Sequence, residues 1–325
     1  MTSPGSTAPT RADVEAAARR LRGIAFHTPI VRSDWLSDVA DADVWLKLEA
    51  TQMTGSFKLR GAANAIAVIA AERSHVRRIL TASAGNHGRA VAYAARRAGL
   101  AARIYVPGSA PAVKRNAMVR LGAEVVETAS YDEAEARAQA EGARDDTAFV
   151  SAYSHHDIIA GAGTVALEMF EDVPELDAII APIGGGGLLS GIAIVSRSLG
   201  GEIFVVGAEA EASPVFTSSI AAGRVTTVSV QPSLADGLTG NMESDSQTFD
   251  IVRRLVDRVV SVAEPSFARA MRELIQREQL VTEAAGAAGA AAILQGAVDV
   301  RGRRVGVVLS GRNVDADVIA RVLLP

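Results

Sequence analysis

The sequence predicts an α/β protein, a mostly parallel sheet covered by helices on both faces. Three observations carry that expectation. Short apolar runs alternate with segments of helical periodicity through the middle of the chain. Runs such as DAIIAPI (177–183) and EIFVVGAE (202–209) have the composition of buried strands. The helical segments between strands end at glycines, Gly99 and Gly122 among them.

The elements follow in order. LRGAANAIAVIAAE (59–72) has apolar residues at 59, 62, 63, 66, 69 and 70, a helical spacing. RRILTAS (77–83) reads as a strand, and GRAVAYAARRAG (88–99) as a helix. ARIYVP (102–107) is a strand with a proline stop, followed by the helix AVKRNAMVRLG (112–122). AEVVET (123–128) is a strand, EAEARAQAEGA (133–143) a polar helix, and AFVSAY (148–153) a strand. The two buried-type strands at 177–183 and 202–209 flank the helix LLSGIAIVSRSLG (188–200), and RRVGVVLS (303–310) is the last strand. There is no fixed-period repeat or low-complexity linker, and residues 1–12 are expected to be a disordered tail.

Composition removes whole classes of chemistry. Apolar residues make up 49% of the 325, enough for a sizeable core, and the net charge of −4 leaves no basic face for nucleic acid. No apolar run reaches the ~18 residues of a membrane span. The first residues lack the basic and apolar blocks of a leader, so a cytoplasmic protein is expected. With no cysteine, there are no disulfides, thiolate nucleophiles or Cys-metal sites. The five histidines form no HExxH or HxH pattern, and no metal site is expected. Only three lysines occur: Lys47, Lys58 and Lys114. Chemistry that needs a lysine therefore has three candidates.

In parallel sheets ligands gather beyond the C-terminal strand ends, and three loops of that type stand out. Gly184-Gly185-Gly186-Gly187 lies between a buried strand and a helix. Its backbone N–H groups and the helix N-terminus make a phosphate cradle. No GK[ST] follows, so it is not a P-loop. The G-x-G-x-x-[GA] match at Gly161–Ala166 follows no clear strand and is not taken as a dinucleotide fingerprint. Ser83-Ala84-Gly85-Asn86-His87-Gly88 suits a small anion such as a carboxylate, although Asn-His-Gly is also ordinary turn chemistry. Ser310-Gly311-Arg312-Asn313 ends the last strand, where the serine is either a helix cap or a ligand contact.

Lys58 sits in TGSFKLRG (54–61), behind cap and turn residues and before a helix. A lysine at a helix start is disfavoured by the dipole, and burial in a cleft lowers its pKa. A neutral amine is what Schiff-base chemistry with an aldehyde needs. A phosphate cradle and an activated lysine together suggest one cofactor with both an aldehyde and a phosphate, pyridoxal 5'-phosphate (PLP).

KLEATQMTGSFKLRGA (47–62), SAGNHG (83–88), GGGGLLSG (184–191), TEAAG (282–286) and LSGRNVD (309–315) resemble the motif set of the fold-type II PLP enzymes. Threonine/serine dehydratases (ammonia-lyases) and serine racemases are the members most similar, from about residue 27 to about residue 322. The resemblance implies a tryptophan-synthase-β-like two-domain fold. A small domain, residues 77–152, is then inserted in a large one made of 13–76 and 153–325. It implies that Lys58 holds PLP as a Schiff base, with Phe57 against the ring and Asn86 on the ring hydroxyl. Gly184, Gly185, Gly186, Gly187 and Leu188 match the phosphate loop, and Ser310 the residue facing the pyridine nitrogen. Ser83, Ala84, Gly85, Asn86 and His87 match the loop that holds the carboxylate of an amino acid substrate. The implied reaction is elimination of water and ammonia from a threonine- or serine-like L-β-hydroxy amino acid, giving a 2-oxo acid. The implied assembly is a homodimer or homotetramer, without a C-terminal regulatory domain. Three positions depart from the racemases: Ala84 replaces a serine, Glu135 an arginine, and Val215 an acid that joins Glu209 in a divalent-metal site. The alternatives are a racemase, or a lyase for 3-hydroxyaspartate, phenylserine or an ectoine catabolite. An inactive metabolite-binding protein is a third, from another class.

Overall fold

The computed structural model describes residues 8–324. Its strands are β1 (Ile30–Arg32), β2 (Asp43–Lys47), β3 (Arg78–Ala82), β4 (Ala101–Pro107), β5 (Glu124–Thr128), β6 (Thr147–Phe149), β7 (Ala178–Pro182), β8 (Phe204–Ala210), β9 (Arg258–Val262) and β10 (Arg304–Val308). One sheet has six strands in the order β1-β2-β10-β7-β8-β9, and the other four in the order β5-β4-β3-β6. Every pairing is parallel except β1 with β2. The six-stranded sheet draws on both ends of the chain, and the four-stranded one on residues 78–149. An α/β architecture follows, because parallel neighbours need crossover helices that cover both faces.

Two expectations are corrected. Residues 11 and 12 do not belong to a disordered tail: the Arg11–Arg20 helix begins there, with Thr10 and Asp13 closing a capping box. Residues 1–7 lie outside the described residues. The strand expected at 148–153 also ends early, at Phe149. The next carbonyl, of Val150, is taken by the side chains of Thr81 (2.9 Å) and His87 (3.2 Å). The chain then leaves the sheet.

Three helices are locked together by glycine. In the His156–Asp172 helix, a Cβ on Gly161 would lie 2.5 Å from the Arg60 carbonyl oxygen and 2.8 Å from Gly61 Cα. A Cβ on Gly191 would lie 2.5 Å from Gly163 N. The Lys58–Glu72 and Gly187–Ser198 helices therefore pack on this central helix backbone to backbone. The Gly161–Ala166 sequence pattern is a packing device in mid-helix and not a nucleotide loop.

A buried ion network anchors the start of the Lys58–Glu72 helix. Arg60, 1% exposed, bridges Glu49 (2.7 Å) and Glu168 (2.6 Å), and Lys47 meets Glu168 (2.7 Å). Charges this deep are tolerated because each is paired and hydrogen-bonded.

Candidate active site

Phe57, Lys58, Asn86, His87, Gly184, Gly185, Gly186, Gly187, Leu188 and Ser310 line one cavity between the two sheets. Ser83, Ala84 and Gly85 do not line it; they lie just upstream in the β3–helix loop, with Gly85 N–H donating to Ser83 Oγ (3.2 Å). Of the three lysines, only Lys58 lines the cavity. Lys47 is fully buried in the ion network, and Lys114 pairs with Asp236 at 2.7 Å.

Lys58 is the first residue of its helix, and Phe57 N–H donates to the Ser310 carbonyl (3.0 Å). The helix start is thereby tied to the end of β10. Lys58 Nζ donates to the Ala152 carbonyl at 2.7 Å. Burial pushes its pKa down from 10.5 to about 8, with the charge of Glu283 pulling the other way. Against an ordinary lysine, the neutral fraction at neutral pH rises by roughly two to three orders of magnitude. His87 is also held neutral, its pKa pushed down to about 3 by burial and then by Lys58. Its Nε2 faces the Val150 carbonyl, so that nitrogen carries the proton.

At Gly185 and Gly186 the loop has no room for a side chain. A Cβ on Gly185 would lie 2.3 Å from Tyr153 Cγ. Gly186 has φ +86° and caps the Gly187–Ser198 helix, and its Cβ would meet Phe216 Cζ at 2.6 Å. Thr248 Oγ1 donates to the Gly185 carbonyl (2.7 Å) and holds the turn. The first N–H groups of that helix have no intrahelical partners and suit a phosphate. A cradle on one side and an amine on the other fit PLP.

Sequence reasoning gave no role to Tyr153 or Glu283. Tyr153 walls the cavity beneath Gly185, at the end of the AFVSAY run. Glu283 lies inside the quoted TEAAG motif, and Asn86 Nδ2 donates to it at 2.6 Å. Burial pushes its carboxyl up to about 7, more than Asn86 lowers it.

Glu209 caps a helix. Its carboxylate accepts from Phe216 N–H (2.5 Å), Thr217 N–H (3.1 Å) and Thr217 Oγ1 (2.7 Å) at the start of the Val215–Ala222 helix. Val215 is 2% exposed. Among the described residues, no group of three or more His, Asp or Glu is placed to hold a metal, and no helix is long and apolar enough to cross a membrane.

A lysine at a helix start, facing a glycine-built helix N-terminus across a cleft between two sheets, defines an enzyme class that works with pyridoxal phosphate. The chain belongs to the family described as "Pyridoxal-phosphate dependent enzyme", which matches residues 21–311. It is 38% identical over 97% of its length to an L-threonine ammonia-lyase of Thermotoga maritima, covering 78% of that protein. It is 35% identical to the L-threo-3-hydroxyaspartate ammonia-lyase of Saccharomyces cerevisiae, over 94% of each chain. Among solved structures it is similar to maize serine racemase, with a TM-score of 0.90 and 30% identity over 97% of each chain.

Proposed function

We propose that this enzyme is an ammonia-lyase for an L-β-hydroxy amino acid of the threonine/serine type, releasing a 2-oxo acid and ammonia. One observation carries the reading: of three lysines, the one in the cavity is shifted to about 8 and faces the glycine cradle. Ammonia-lyase relatives at 35–38% identity support it.

When bound, PLP supplies an electron sink for the bonds at the substrate Cα. The protein does the rest. Lys58 would hold the cofactor, and its neutral amine is the group placed to take the substrate Cα proton. Gly184 to Leu188 would hold the phosphate, and Phe57 would lie against the ring. Asn86 would meet the ring hydroxyl, and the Ser83–His87 loop would bind the substrate carboxylate. The Ser310 hydroxyl, which lines the cavity, would meet the ring nitrogen and could not keep it protonated as a carboxylate would. That favours substrates whose β-hydroxyl leaves promptly, over chemistry that needs a long-lived carbanion. Residues 77–152 would form a small domain that closes one side of the cofactor site. The same resemblance supports a cytoplasmic homodimer or homotetramer.

A 2-oxo acid assay over L-threonine, L-serine, 3-hydroxyaspartate and phenylserine tests the reaction; no 2-oxo acid from any of them overturns it. Borohydride reduction and peptide mapping should find the pyridoxyl group on Lys58. Finding it on Lys47 or Lys114 overturns the role of Lys58.

A further inference from the structure

Asn86 has two ways to present its amide to the cavity, as donor or as acceptor, and they differ by a 180° flip of the side chain. Its surroundings remove the choice. Asn313 Nδ2 donates to Asn86 Oδ1 at 2.6 Å, so the Asn86 oxygen is turned away from the cavity. The Asn86 NH2 is left facing inward, where it meets Glu283 at 2.6 Å. Asn313 is in turn fixed from two sides. The Arg89 guanidinium, which can only donate, takes Asn313 Oδ1 at 2.5 Å. The Thr54 carbonyl, which can only accept, takes Asn313 Nδ2 at 2.9 Å.

The polarity of the chain therefore runs one way, from Arg89 through Asn313 and Asn86 into the cavity. Gly55 makes room for it: at φ +77° it packs so closely that a Cβ would lie 2.7 Å from Asn313 Oδ1. The partners come from three parts of the chain: the TGSFK segment, the helix after β3 and the loop after β10.

We propose that Arg89 and Asn313 are positioning residues that fix the Asn86 amide with its NH2 toward the cofactor, so that the site can only donate to the ring oxygen. The inference rests on the assignment of Asn86 to that oxygen. An amide flipped the other way sets its carbonyl oxygen against an anionic ring oxygen, which replaces an attraction by a repulsion.

The test is spectroscopic titration of the cofactor-free protein with PLP, read as an affinity and not as turnover. Asn313→Asp keeps the side-chain shape and strengthens the partner of Arg89, but removes both donors. Asn86 then turns its NH2 to the new carboxylate and its oxygen to the cavity. PLP affinity should fall about ten- to a hundredfold, as expected for losing a hydrogen bond to a charged group. In an Asn86→Ala background, Asn313→Asp should cause no further loss, because Asn313 acts through Asn86. Arg89→Met should weaken PLP binding partially and Arg89→Lys should restore it, with melting temperatures of the cofactor-free proteins unchanged. Additive losses from Asn313→Asp and Asn86→Ala, or wild-type affinity in Asn313→Asp, overturn the relay. Wild-type affinity in Asn86→Ala overturns the Asn86 assignment and the relay with it, while the pyridoxyl label on Lys58 still reports on the enzyme class separately.

Discussion

Burial drives two ionisable groups of the cavity toward each other on the pH scale: Lys58 from 10.5 down to about 8, Glu283 from 4.5 up to about 7. The signs fix how the cofactor-free protein responds to pH. Glu283 prefers its neutral form in the folded state, so its contribution to stability is complete below about 4.5 and is lost as pH rises through about 7. Lys58 also prefers its neutral form, so its contribution is complete above about 10.5 and is lost as pH falls through about 8. The melting temperature of the cofactor-free protein should decline on the Glu283 arm, and Glu283→Gln should flatten that arm. An unchanged slope in the variant means that another acid is responsible. Ala84 carries the second prediction at this scale. Racemisation needs a proton donor on each face of Cα, and a methyl group is none. L-serine in deuterated water should therefore give pyruvate with little D-serine, and Ala84→Ser should raise D-serine formation, general acids being worth about 10²–10⁴-fold. Abundant deuterated D-serine from the wild type would favour a racemase. Lys58 and the glycines were legible because their chemistry is local, a lysine behind Thr-Gly-Ser and a run of glycines after a strand. Glu283 was not, because its meaning comes from Asn86, 197 residues away.

At the scale of elements, most strands were readable from buried apolar runs, and the helix ends at Gly99, Gly122 and Gly200 from glycine. The His156–Asp172 helix was missed. Its glycines look like breakers or a nucleotide loop in sequence, and only the crossing helices explain them. Those crossings set the distance between Lys58 and the glycine cradle, because one central helix touches both partners. Gly161→Ala must therefore push the Lys58–Glu72 helix outward, at a cost of about 1–3 kcal/mol for an overpacked core. The expected result is a lower melting temperature together with weaker PLP retention. Gly201→Ala is the control, since nothing lies within 4 Å of its Cβ position. Equal melting of Gly161→Ala and Gly201→Ala would rule out close helix packing as the reason for the glycine.

At the scale of the whole molecule, the cavity depends on contacts between the part built on the four-stranded sheet and the part built on the six-stranded sheet. These were hidden from the sequence, because they pair residues about 100 positions apart or more. Lys114 reaches Asp236 at 2.7 Å. The Glu135 carboxyl, on the Tyr131–Gly142 helix, lies beside the carboxyl of Glu243, close enough for the two to share one proton. Two carboxyls can do this only while one holds a proton. Burial, then Glu135, then Asp245 push Glu243 up to about 7, and burial raises Glu135 as well. Tyr131, on the same helix as Glu135, feels these charges, and Asp132 on that helix adds to them; Tyr153, whose Oη accepts from Glu243 N–H at 3.0 Å, feels them too. None of these neighbours brings a cation. The folded state thus favours the protonated pair, so the contact is complete below about 4.5 and is lost as pH rises through about 7. Above that pH two carboxylates face each other across the cleft, and Tyr153, which walls the cavity, sits beside them. Hydrogen exchange of the Tyr131–Gly142 helix should quicken through this range, beyond the intrinsic base-catalysed rise measured on a helix remote from the cleft. Glu243→Gln keeps a neutral hydrogen-bonding partner at every pH and should remove the excess. The same excess in wild type and Glu243→Gln would mean that this pair does not hold the two parts together.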